Sequence, residues 1–288
     1  MENSLLKLIK QNLPKIYPLI GISDLEIEKK ISDYIRRINE LPPNYISEKP
    51  HCLFDWILLA STGDKKALSF LNFIDHQCCS LLETVEPRFR NHINGTIRNM
   101  LFAMDAAAIQ PNNPAYINFL GEIIGLMHLL SLSNSNYELV EIEGSLSNGK
   151  SADFVFRNKE SGDLIYIEFV SYHNIDPSKI ESDEEFINFL EKKFDQKISD
   201  KTKNLNSEGN LLMINGEEVL FAILPIIWTE ISDLLPFKKA FEKLDAKYAN
   251  VFQCCSLHVQ EIEDGNFVYN FSTVNNILES WKTDNEID

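Results

Sequence analysis

Along the N-terminal third of the chain, apolar residues recur at spacings of three and four. Leu5, Leu6 and Ile9 open the pattern, and Leu25, Ile27, Ile31, Tyr34, Ile35 and Ile38 continue it. This spacing lines apolar side chains along one stripe of a helix. Further helices are predicted over 52–59, 65–84 and 91–109, and prolines mark a loop over 42–50 ahead of them. Pro111, Asn112, Asn113 and Pro114 then form the clearest break in the chain. A boundary is expected there, between a helical region over 1–112 and a second domain over 113–288.

After the break the period changes. Residues 115–132 read as a helix that is apolar on nearly every side. Strands are predicted over 137–142, 152–157 and 164–171, and the polar turn NKESGD makes the last two a hairpin. A long helix over 184–205 follows, then an almost wholly apolar strand over 219–227, which suits a central position in a sheet. A helix over 236–248 and two strands over 251–261 and 266–271, joined at Asp264-Gly265, complete the pattern. The order helix, three strands, helix, strand, helix, two strands predicts an α/β domain with a mixed sheet flanked by helices.

Composition narrows the class. The chain has 288 residues, 44% of them apolar, enough for a sizeable core. The apolar run over 219–228 is about half the length of a membrane span and contains Pro225. With no secretory signal legible at the N-terminus, a cytoplasmic protein without a membrane partner is expected. The five cysteines, in two adjacent pairs plus one and with no CxxC, point to free thiols rather than to a disulfide framework or structural zinc.

The net charge is −16, yet the first 110 residues carry 13 acidic and 13 basic side chains, so the whole excess lies beyond them. Such an acidic surface repels phosphate backbones and weighs against broad, non-specific nucleic-acid binding. Nucleic acid would instead need a local basic group. Arg88, Arg90, His92 and Arg98 form one in the helical region, which is also where a protein partner would be sought.

Three carboxylates stand out within apolar surroundings. Glu122 lies among Ile117, Phe119, Leu120, Ile123, Ile124 and Leu126 in the apolar helix. A carboxylate so placed is costly unless its charge is compensated. Asp153, in SADF, enters the second strand, and Glu168, in LIYIEFV, sits within the third. If those strands pair, Asp153 and Glu168 come from neighbours and can converge, as carboxylates holding Mg²⁺ or Mn²⁺ do. Such an ion activates water and stabilises a phosphodiester in transfer.

Taken in order, a helix with Glu122, a strand, a strand with Asp153, a turn, a strand with Glu168 and a helix resemble the PD-(D/E)XK nuclease superfamily over roughly residues 115–230. The resemblance implies a restriction-endonuclease-like fold, metal binding by Glu122, Asp153 and Glu168, and Mg²⁺-dependent hydrolysis of nucleic acid. It also implies a lysine where this chain has Val170. Replacements are offered by the following helix, where Lys193, Lys197 and Lys201 repeat at four-residue spacing beside Gln196, and by Lys150. Gln196, Lys197 and Lys201 are the candidates from that helix. The alternative is a catalytically inactive relative that uses the same fold to bind a partner.

A third reading comes from GSLSNGKS over 144–151, which fits the phosphate-loop pattern and would make Lys150 and Ser151 nucleotide ligands. That pattern needs a helix after it, whereas ADFVFRN is rich in strand formers. A glycine turn ahead of Asp153 explains the residues more simply. Histidines show no metal-ligand spacing; His128 reads as a core residue and His173 as a neighbour of the Glu168 strand.

Overall fold

The computed structural model describes residues 2–40, 50–103, 115–132, 136–173, 175, 177–203, 206–208, 211–214, 217–248 and 253–285. Most of the 42–50 loop and the 111–114 break lie outside the described residues. The chain forms two compact units, residues 1–127 with 259–270 and residues 128–258 with 271–288. The division thus falls after Met127, not at 112, and Glu122 belongs to the first unit.

The first unit holds α1 (Glu2–Asn12), α2 (Asp24–Ile38), α3 (Leu53–Ser61), α4 (Lys65–Thr84), α5 (Arg90–Phe102) and the larger part of α6 (Ala115–Leu132). Helix starts follow the sequence. Ser23 and Glu26 form a reciprocal capping box on α2, and Asp64 accepts the Ala67 amide at the start of α4. The apolar stripes meet in a core that includes Leu13, Ile16, Ile31, Phe54, Ile57 and Leu71. Two buried aspartates are satisfied within it. Asp75 accepts the amides of Lys15 and Ile16, and Asp55 accepts the Tyr34 hydroxyl and the His51 amide.

The basic group expected here is partly spent on the protein itself. Arg88 pairs with Glu86 at 3.0 Å, and Arg98 is half-buried and donates to the Ile20 carbonyl. By length and composition α6 is also long and apolar enough to cross a membrane, which the sequence reading of 219–228 passed over. Of its residues 44% are buried, and only Asn118, Ser131 and Leu132 are exposed.

The second unit is built on β1 (Tyr137–Ser145), β2 (Ser151–Asn158), β3 (Leu164–His173), α7 (Asp183–Thr202), β4 (Asn206–Glu208), β5 (Leu211–Ile214), β6 (Glu217–Trp228), α8 (Leu234–Tyr248), the first half of β7 (Cys255–Ile262), the end of β8 (Asn266–Thr273) and α9 (Val274–Asn285). The sheet runs β1-β2-β3-β6-β5-β4, with β7 also on β6 and β8 on β7. The β1–β2–β3 meander is antiparallel, and β3 and β6 are parallel. That parallel pair requires a crossover, which α7 begins. Pro225, which has no N–H, falls on β6 between the residues that pair with β5 and those that pair with β7.

The α/β expectation holds, with a mixed sheet flanked by helices. Two features differ from the sequence reading. Strands β4 and β5 intervene between α7 and β6, and the chain closes on α9 rather than on a strand. Both strands are short and make a local hairpin, so their period is too brief to read.

Strand alternation decides what faces α7. Val155, Tyr166 and Tyr172 point to the side where Phe186, Leu190 and Phe194 of α7 are buried. Phe154 and Phe169 meet on the opposite face, centroids 5.0 Å apart. Gly144 is the close point of the β1–β2 pair, since a Cβ there would stand 2.1 Å from Val155 Cγ2. Gly144→Ala is therefore expected to lower stability by about 1–3 kcal/mol, read by urea unfolding. An unchanged midpoint would mean that β2 shifts freely, and with it Asp153.

Candidate active site

Asp153 and Glu168 belong to the α7 face by the same alternation. The β2–β3 register runs from Arg157↔Leu164 to Phe154↔Ile167, so Asp153 follows opposite Glu168. One Asp153 oxygen accepts the Phe169 amide at 2.7 Å, which ties the carboxylate to the neighbouring strand. Glu168 is 1% exposed, a carboxylate within the core, and it is compensated from α7. Lys197 Nζ lies 2.6 Å from Oε1, and Lys201 Nζ lies 3.0 Å from Oε2. The second contact is charge without a directed hydrogen bond, because Lys201 aims its short bond of 2.6 Å at the Ser151 carbonyl.

The helix period explains why α7 can supply both cations. Lys193 and Lys197 each follow a buried residue, Leu190 and Phe194, by three positions, so the lysine row borders the buried stripe. Lysine stems at such a border lie along apolar surface while the ammonium reaches a partner. Val170, at the position where the resemblance implies a lysine, packs into the core against α7. The cations near Glu168 come from the helix instead. Gln196 lies on the exposed side of the same helix and lines a cleft with Lys193 and Lys197. Lys150 is exposed in the β1–β2 turn.

Burial and the Glu168 charge together push the Asp153 pKa up to about 7, against the opposing pull of the Phe169 amide and the two lysines. Lys197 feels burial, which lowers its pKa, but Glu168 outweighs that and the net shift is upward. For Asp153 the folded state holds a proton that the unfolded chain has lost between about pH 4 and pH 7. Stability of the cation-free protein is therefore expected to be greatest below pH 4 with respect to this group, and to fall as pH rises to 7. Thermal melts of wild type and Asp153→Asn across that range check this, since the variant should lose the downward slope.

The third carboxylate of the sequence reading belongs to the first unit. Glu122 is half-buried on α6 and already has an interaction partner. Among the described residues no group of three or more His, Cys, Asp or Glu side chains gathers as a metal cluster, so the expected three-carboxylate arrangement is replaced by a pair. His128 is half-buried, bonds Gln253 at 3.0 Å and packs edge-on against Phe271. All five cysteines are free.

The phosphate-loop reading is overturned. Ser151 opens strand β2, not a helix, and residues 146–150 close a hairpin turn through Leu146 N–H to the Lys150 carbonyl and Gly149 N–H to the Leu146 carbonyl. The turn has another task that sequence reasoning missed. Asn148 donates from Nδ2 to the carbonyls of Lys201 and Lys203, at 2.8 and 2.7 Å, and so caps the end of α7. A turn asparagine carries no signal that distinguishes this role.

No known family's sequence profile matches the chain, and no curated protein is significantly similar to it. Among solved structures, the chain is similar to Pyrococcus furiosus SfsA in complex with Ca²⁺, at 11% identity and a TM-score of 0.22. The likeness covers 53% of this chain and 60% of that one. So slight a likeness bears on neither fold nor function, and the reading below stands on the geometry of the site.

Proposed function

We infer that the chain hydrolyses phosphodiester bonds in nucleic acid, with Asp153 and Glu168 holding one Mg²⁺ or Mn²⁺ ion. The observation that carries this is the meeting of Asp153, Glu168, Lys197 and Lys201, drawn from two paired strands and the helix that follows them. Two carboxylates suit Mg²⁺, which keeps several waters and takes further oxygens from substrate phosphates. The site has room for the ion's charge. Glu168 Oε2 is buried without a directed hydrogen bond, and Asp153 tends to keep a proton where no such cation stands. The bound ion supplies an activated water and neutralises charge on the phosphodiester.

The lysines divide the remaining work by depth. Lys201, 18% exposed and bonded to Ser151, holds the Glu168 carboxylate in place. Lys197, 34% exposed, is the cation free to turn from Glu168 toward a phosphate oxygen. Glu122 is not required by this pair, and Glu122→Gln is expected to leave cation affinity within about twofold.

A second reading is favoured by the same ion pairs. Lys197 and Lys201 already balance Glu168, which suits an inactive relative whose acidic site is structural. A panel of end-labelled single- and double-stranded DNA and RNA, incubated with Mg²⁺ or Mn²⁺, separates the two. Cleavage that EDTA stops and Asp153→Asn removes is expected. Intact substrates throughout the panel, with the protein folded, would favour the inactive relative.

A further inference from the structure

Of the three lysines spaced along α7, Lys197 and Lys201 are engaged by Glu168. Lys193 is not. Among the described residues its ammonium has no ion-pair partner, and it rests over the Phe189 ring, 5.1 Å from the centroid. It borders a cleft of about 250 Å³ lined also by Val170, Ser171, Tyr172, Gln196, Lys197 and Asp200. The side chains of Ser171 and Gln196 have no hydrogen-bond partner among the described residues, so two donors face the cleft unspent. The uncompensated charge is felt nearby, for His173 is held below its usual pKa first by burial and then by Lys193. Asp200, the acid of the lining, lies near Lys197 and is partly balanced by it.

An anion with several acceptor oxygens matches the unspent groups of this lining: the Lys193 cation, a hydroxyl and an amide, with Lys197 beside them. The volume is below the range of pockets that enclose drug-sized ligands, which limits the occupant to a single compact group. That limit agrees with the acidic excess of this part of the chain, which repels an extended polyanion. We propose that the cleft seats a phosphoryl group of the substrate beside the one being cleaved, with Lys193 as its counter-charge and Ser171 and Gln196 as donors. The proposal rests on reading Asp153 and Glu168 as a phosphodiester site, because Lys197 lines the cleft and also contacts Glu168.

The test is titration of inorganic phosphate into the full chain at constant ionic strength, followed by calorimetry or NMR. Saturable binding is expected, weakened about tenfold in Lys193→Gln, the loss of one charge-assisted bond. It should be unchanged in Lys192→Gln, the exposed neighbour outside the cleft. Circular dichroism confirms that both variants fold. Absence of saturable binding to folded wild type, insensitivity to Lys193→Gln, or an equal loss in Lys192→Gln each overturns the proposal. Phosphate binding that depends on Lys193 in a protein that binds no divalent cation would sustain the cleft and retire the hydrolase reading, so the two failures are told apart.

Discussion

Replacing both lysines, as Lys197→Met with Lys201→Met, is expected to cost about 3–5 kcal/mol of stability, far more than the sum of the two single changes. The reason lies in how Glu168 is enclosed. The carboxylate is 1% exposed and is flanked by one ammonium on each oxygen. Either single variant leaves it one cation, and the remaining lysine can shift toward the vacated oxygen, so each should cost only about 1 kcal/mol. Removing both leaves a buried charge without a partner. Methionine keeps the apolar stem, so the loss reports charge rather than packing. Adding Glu168→Gln to the double variant removes the stranded charge and is expected to restore most of the loss. Chemical denaturation of the five proteins, wild type included, measures the coupling and the rescue. Additive single effects, or no rescue by Glu168→Gln, would mean that water reaches Glu168 in solution and that the site is open.

The second large effect runs in opposite directions on stability and activity. Asp153→Asn is expected to raise the stability of the cation-free protein by about 1–3 kcal/mol near pH 8, because it removes a charge that burial and Glu168 both disfavour. The amide can still accept the Phe169 N–H through its oxygen, so the strand contact survives. Hydrolysis should fall by about a thousandfold or more, since the ion that activates water would lose one of its two protein ligands. A residue that weakens the fold and is needed for turnover is characteristic of a functional site. Thermal melts and cleavage rates on the same preparations give both numbers. A variant that loses stability as well would place Asp153 among structural residues.

Much of the second unit was legible from period and turns. The β2–β3 hairpin follows from two apolar runs about NKESGD, and α7 follows from Phe186, Leu190 and Phe194. Given the hairpin, the meeting of Asp153 with Glu168 follows from alternation, and the lysine row follows from a four-residue repeat. Other features depend on tertiary contacts that leave no local trace. The division after Met127 depends on which neighbours α6 packs against, and α6 is continuous across it. The GSLSNGKS segment matched a nucleotide-binding pattern because glycine turns share composition, while what Asn148 bonds is set by the end of a helix about 50 residues away. Glu122 was selected for its apolar neighbours; it is half-buried and has an interaction partner within the protein, which no local pattern announces.

The measurement closest to the central claim is a calorimetric titration of Mn²⁺ into wild type, Asp153→Asn and Glu168→Gln at pH 8. One ion per chain should bind wild type, and each variant should bind at least tenfold more weakly. Folded wild type that takes up no ion, or variants that bind it as tightly as wild type, would contradict the claim that Asp153 and Glu168 form a metal site.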